Sequence, residues 1–434
     1  MIKTKQELFS AISKNENFSL SEIDTKLLND KDVIKGLISK KSEGAEIEIP
    51  KECFTDEMVA YALERSIENF KFLPESYRFN TEFVSKLSLT GKDTTILKYA
   101  SPEILANKSF ILSSLKKDRK NFEENSFKRW WGGLENESDS LYYYLDDNLK
   151  SDIEIIKAFE KISPNIFKDI PSKFRQNVSI CRQFISVFPL NYEYADIEVK
   201  KNKELAKDMC NISGGVIKYI KDFFGNDIEI AEIALSNYGL ALEYFSNEIR
   251  NNKRLVELAI NNNHGAFKFA SLELRGDIEI AKNAISQDGF NLEFASKELR
   301  NDEEIVKIAI SHKKTDNDWG SKSCGGAFKF ASERILSNKK IALIALPNEG
   351  SFGTDGWGGD HLSEKPLYSF LPDSLKNDNE IAIAAINSNS KCIPFLVESV
   401  LDNEEVLSLI KAIKSVEENK KESTDSGWRN SGWS

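Results

Sequence analysis

Asp316, Asp318, Asp355, Asp360 and His361 stand close together along the last third of this 434-residue chain. Carboxylates beside an imidazole are the residue types for proton transfer or for holding a metal ion. They would suit a hydrolase or transferase. Their spacing matches no established motif. Asp316-Asn-Asp318 opens like a calcium loop, but the bidentate Glu required downstream is missing. The run Gly353-Thr-Asp-Gly-Trp-Gly-Gly359 follows Pro347, lacks a preceding strand and has no Gly-Lys-Ser/Thr ending, so it is no phosphate loop. His312, Cys324 and His361 lie in or beside the same stretches, without the clustering zinc needs. The five cysteines, Cys53, Cys181, Cys210, Cys324 and Cys392, are widely spaced and read as reduced thiols. No Ser-His-Asp or Cys-His signature occurs. The expectation is a chain with no catalytic residue, no metal and no cofactor.

Tryptophan stands out more. All six, Trp130, Trp131, Trp319, Trp357, Trp428 and Trp433, fall outside the regular pattern described next, and all but Trp130 adjoin a glycine. Trp is enriched at binding hot spots, and insertions in solenoids tend to emerge on one face. These six are the candidate binding residues. The competing reading is that each Trp plugs its loop onto the neighbouring structure, since long loops need an apolar tether.

The elements that must position these residues come from a repeat. Tyr244-Phe-Ser-Asn-Glu-Ile-Arg250, Phe269-Ala-Ser-Leu-Glu-Leu-Arg275 and Phe294-Ala-Ser-Lys-Glu-Leu-Arg300 follow one another at a period of 25 residues. Looser copies reach back through Tyr219, Tyr194, Tyr144, Tyr99 and Phe72 to Ile49 and Ile23, and forward through Phe330, Phe370 and Phe395. Such a period marks stacked supersecondary units, each needing neighbours to bury its apolar face. The predicted fold is all-α: an α-solenoid, or α/α superhelix, of about 14 short two-helix repeats.

The spacing places a helix start at Ser151, Asn226, Asn301, Asn377 and Asp402. Glu154, Glu229, Glu304, Glu380 and Glu405 stand three residues later and complete a capping-box pattern, so they read as caps and not as catalytic acids. Gly239, Gly265, Gly289 and Gly326 read as helix stops, because glycine tolerates the left-handed conformation.

Insertions interrupt the period near 121–140, 313–325 and 348–364. The expected organisation is therefore degenerate repeats over 1–143, regular repeats over 144–311, interrupted repeats over 312–416, and a flexible polar tail over 417–434 with a doubled Ser-Gly-Trp. Glu46-Ile-Glu-Ile49 is the one short strand-like alternation. The apolar end Leu407-Ser-Leu-Ile-Lys-Ala-Ile413 could accept another chain, so self-association is an expectation.

The net charge of −10 argues against a general nucleic-acid binder. The one basic stretch with aromatics, from Lys116 to Trp131, is diluted by Asp118, Glu123 and Glu124. No stretch is long and apolar enough to span a bilayer. The first residues lack the apolar core of a secretory signal, so a cytoplasmic protein is expected.

Over Leu240-Ala-Leu-Glu-Tyr-Phe-Ser-Asn-Glu-Ile-Arg-Asn251 and Leu292-Glu-Phe-Ala-Ser-Lys-Glu-Leu-Arg-Asn-Asp302, the chain resembles a bacterial repeat family, domain of unknown function 4116. The resemblance is good over Gly214–Ile310, degraded to Leu401 and faint before Tyr144. It implies tandem short helices and no activity. It also implies that the protein could be an effector of a host-associated bacterium, acting in the host cytosol. The Trp-Gly insertions and tail depart from the family pattern. The reading is a scaffold for protein partners, among which a second copy of itself is a candidate; the alternative is the enzyme outlined above.

Overall fold

The computed structural model describes residues 2–14, 18–44, 47–89, 94–124, 140–311, 324–349 and 365–429. Among them there are only helices, turns and one isolated parallel β-bridge, Ile2 to Ile23. Residues 47–49 form no strand. The protein is an all-α solenoid. The chain divides into two compact units, Met1–Lys200 and Lys201–Ser434. That division falls inside the stretch 144–311, which by its even period reads as one segment.

The second unit shows the repeat most clearly. A long helix such as Ile228–Asn237 is followed by a 3-10 helix, Gly239–Tyr244, and then a four-residue helix, Asn247–Arg250. The 3-10 helix is a third element, lying between the two helices that spacing predicts. Its six residues suit the short pieces in which this helix is found. Successive long helices pack on each other, and successive 3-10 helices form a second layer. Each long helix buries a narrow stripe: Ile230, Ala231, Ala234 and Leu235 in one copy, Leu255, Val256, Ala259 and Ile260 in the next. Alanine at the middle of the stripe lets the backbones approach.

The helix starts lie one residue later than the spacing suggested. The cap is Asp152, Asp227, Asp302, Asp378 or Asn403, whose side chain accepts from backbone N–H groups two or three residues on. The Glu residues therefore sit at the second helical position, where no capping box can close. Glu229 instead pairs with Lys203 at 3.1 Å and Lys207 at 2.5 Å. Asn226, the residue before the cap, is engaged elsewhere. Its Oδ1 accepts from the Ser246 hydroxyl at 2.6 Å, one repeat further on. That hydroxyl in turn caps its own short helix, accepting from Ile249 N at 3.3 Å. Ser332 donates to Asn301 in the same way at 2.6 Å.

One further expectation fails. The recurring glycines are not left-handed helix stops; the positive-φ glycine among the described residues is Gly44. Gly239 is needed because a Cβ there would lie 2.2 Å from the Ala259 carbonyl oxygen. Gly214 is the same distance, 2.2 Å, from the Ala234 oxygen. Within each 3-10 helix the core residue is not the repeat's aromatic. Ile217, Leu242, Phe267 and Leu292, two residues earlier, are fully buried, while Tyr219, Tyr244, Phe269 and Phe294 stay half-buried.

The first unit uses the same ties. Lys108 sits between Asp152 at 2.7 Å and Glu154 at 2.6 Å. The Arg78 guanidinium donates to the Tyr99 carbonyl at 3.0 Å. At the other end of the chain the last helix runs from Glu404 to Arg429, continuing through residues expected to be a flexible tail. Val406 and Ile410 are buried, Leu407 is exposed, and Lys411 stands where Leu235 or Ile260 stands in inner copies. The stripe of this helix is thus partly polar.

Two predictions follow from this packing. Gly239→Ala should destabilise by about 1–3 kcal/mol in urea unfolding, since backbone must shift to admit the methyl. Gly265→Ala, whose Cβ would meet the Asn263 side chain at 3.1 Å, should cost less.

The second concerns pH. The hydrogen bond from Lys253 holds Asp277 below its usual value, and that from Lys108 does the same for Asp152. For Asp227, burial pushes upward, but Lys203 and the backbone N–H groups outweigh it. Groups with depressed pKa stabilise above the unfolded carboxylate value and lose that contribution as pH falls through the folded value. Helicity by circular dichroism should therefore be lost as pH drops below about 4. Lys203→Met should move that transition to higher pH.

Candidate interaction face

Asp, Asn, Ser and Lys side chains of the repeat make its caps and inter-repeat ties. What remains outward in the 3-10 layer is a recurring pair, one charged residue followed by one aromatic: Lys218-Tyr219, Glu243-Tyr244, Lys268-Phe269 and Glu293-Phe294. The charged members are exposed and the rings half-buried. The fold makes this pairing. In each 3-10 helix the residue just before the charge goes to the core, and the aromatic two later is held at the layer's edge.

The lysines lie over the rings beside them. Lys218 Nζ is 4.5 Å from the Tyr219 centroid, and Lys268 is 4.7 Å from that of Phe269. Lys329 lies 5.0 Å from Phe330 and 5.6 Å from Phe370. Such contacts contribute about 0.5–1 kcal/mol at exposed sites and hold both partners in place. The next stripe alternates glycine with a large side chain. Leu240 comes within 3.5 Å of the Cβ position of Gly265, and the Phe290 ring within 3.5 Å of that of Gly326. The repeats therefore differ in pairs.

The sequence-derived candidates are placed as follows. Trp130, Trp131, Trp319, Trp357 and Trp433 lie outside the described residues, as do Asp316, Asp318, Asp355, Asp360, His312 and His361. Trp428 falls in the last helix, with its side chain outside the description. The base of the last insertion is described. Glu349 is buried, its Oε1 accepting from Leu367 N at 2.7 Å and Asn389 Nδ2 at 3.2 Å. Burial pushes its carboxyl above the usual range. This bond draws together the two chain ends that bound residues 350–364. Among the described residues no three His, Cys, Asp or Glu side chains are grouped to hold a metal ion.

The first unit has an open cleft of about 690 Å³ beside Lys51, Phe54, Asp56, Tyr77, Phe83 and Lys86. The Tyr77 hydroxyl donates to Asp56 at 2.9 Å, and Lys86 pairs with Glu82 at 2.7 Å. Four of the polar side chains of the cleft are thus engaged with one another. No described helix is long and apolar enough to cross a membrane.

The aromatic and charged pairs recur with the 25-residue period, and so does a family signature. Residues 202–250, 227–275, 277–315 and 362–399 match the family model described as Domain of unknown function (DUF4116). The chain resembles this family. The first two matches are offset by one repeat, from 202 to 227, and each spans a pair of repeats. That length agrees with the pairwise alternation of the stripes. Comparisons with curated proteins and with solved structures found no match. The match to DUF4116 thus identifies the repeat and names no activity.

The charged and aromatic pairs are present in the sequence, but the period alone does not say which apolar residue of a copy is core. The signal was the residue two before the aromatic, apolar in every regular copy. The thiols give a direct test of this core assignment. Burial pushes Cys181, Cys210 and Cys392 up to about 12. Each should resist a thiol reagent at neutral pH in the native protein and react once denatured, as read by reagent absorbance.

Proposed function

We propose that this protein is a non-catalytic helical-repeat scaffold that mediates protein–protein interaction. The observation that supports it most is the recurring outer face. Asp, Asn, Ser and Lys side chains of the repeat make its caps and inter-repeat ties, and four consecutive copies between 218 and 294 present a charged residue beside an aromatic. A repeated face offers many weak contacts to a macromolecule and no enclosed pocket to a small substrate. The Trp-bearing insertions near 121–140, 313–325 and 348–364 add the residue type most enriched at hot spots. A bacterial effector acting in a host cytosol would be one setting for such a scaffold.

The test is a set of Trp319→Ala and Trp357→Ala variants of the full chain, compared by affinity capture from the source cell and by melting temperature. A hot-spot Trp should lose partner binding by at least about 2 kcal/mol, roughly 30-fold, with the melting temperature unchanged. Early melting with an unchanged partner set would make these residues loop anchors. Turnover of a substrate that vanishes with Asp360→Asn or His361→Ala would replace the scaffold with the enzyme.

A further inference from the structure

The charges on the outer face of the 3-10 layer alternate in sign: Lys218, Glu243, Lys268, Glu293. All four are exposed, and all lie in the uninterrupted repeats of the second unit. Glu243, Lys268 and Glu293 take part in none of the ion pairs among the described residues. Their 3-10 helices pack side by side in chain order, so the charges form a ladder with rungs about 10 Å apart. A half-buried ring, Tyr219, Tyr244, Phe269 or Phe294, stands beside each rung and supplies apolar area.

We propose that this ladder is the docking face for a second copy of the same chain, arranged about a twofold axis between the repeats of Glu243 and Lys268. A twofold axis pairs the first rung with the fourth and the second with the third. Lys218 then meets Glu293 of the other copy, and Glu243 meets Lys268. Every rung faces its opposite, and the symmetric pairs repeat the match. An alternating ladder with an even number of rungs has this property, and a row of one sign does not. The lysines already lie over their rings, so part of the ordering cost is met before association. Rim charges of this kind set register and on-rate, and salt weakens them.

The inference rests on the reading of the chain as an interaction scaffold. Its test uses full-length protein in sedimentation experiments across a dilution series. The native chain should dimerise reversibly, and less at high salt. Lys218→Glu with Lys268→Glu makes the face wholly acidic; Glu243→Lys with Glu293→Lys makes it wholly basic. Each double variant alone should dimerise at least about tenfold more weakly, through like-charge repulsion. Mixed one to one, they should form a mixed dimer as tight as the native one. Circular dichroism checks that both keep native helicity. If a reversal unfolds the chain, Glu243→Gln and Lys268→Gln take its place, and each should weaken the dimer.

A native chain that stays monomeric overturns the inference. So does dimerisation that the reversals leave unchanged, or a mixture of folded variants that does not pair. Any of these leaves the scaffold reading standing, because that reading is tested through the Trp insertions and other partners.

Discussion

The structure depends on how closely a 3-10 helix can approach the long helix of the following repeat. The end of a long helix leaves backbone groups without intrahelical partners, and buried ones must be satisfied. Here a neighbour does it. Asn262 donates from Nδ2 to the Ser236 carbonyl at 2.9 Å and accepts at Oδ1 from Gly239 N at 2.6 Å. Asn237 makes the same pair of bonds one repeat earlier, to Asn211 and Gly214. One side chain thus satisfies two backbone groups of another repeat. It can do so only at a distance that excludes a Cβ on the glycine and favours alanine in the facing stripe. Gly214 and Gly239 are where they are because backbone polar groups are being paired between repeats.

Other polar contacts follow the same logic of tying one repeat to the next. Backbone N–H groups of Ser246, Ser271 and Ser296 donate to the carbonyls of Gly225, Arg250 and Arg275 at 2.7, 2.9 and 3.2 Å. Lysine at the first position of a long helix reaches the cap of the following one, as Lys253 reaches Asp277 at 2.9 Å. Cohesion in such a stack is a sum of neighbour terms. No single contact holds the molecule, and a repeat can degrade in sequence while its ties survive. This is how the family signature can match four segments while irregular copies between and before them still fold as helices.

A face built this way separates structure from recognition. Residues facing neighbouring repeats are fixed by packing, while the outermost residue of each 3-10 helix can change charge without disturbing the core. Between 218 and 293 it alternates in sign, next to rings that are nearly constant in type. Protein surfaces that bind other proteins gain affinity from aromatic anchors and selectivity from charge pattern. The solenoid repeats both at a fixed interval.

The period, the helical class and the stacking were determined by sequence alone. Recurrence every 25 residues and helical spacing of apolar positions are local signals that survive without coordinates. Helix starts were legible to within one residue. The choice between Asn226 and Asp227 as cap was not, because both can cap, and only the neighbouring Ser246 hydroxyl decides that Asn226 is engaged elsewhere. The sequence likewise marks Tyr244 and Leu242 as apolar without ranking them; burial of Leu242 is set by the long helices it meets. The reason for Gly239 is a carbonyl 20 residues away in the chain, at Ala259. The charge ladder is written in four residues of the sequence, but their common exposure appears only when the register of the repeats is fixed. Local periodicity specifies the elements. Distances between repeats, set by close packing and by the need to satisfy backbone groups, decide which of two adjacent residues faces inward.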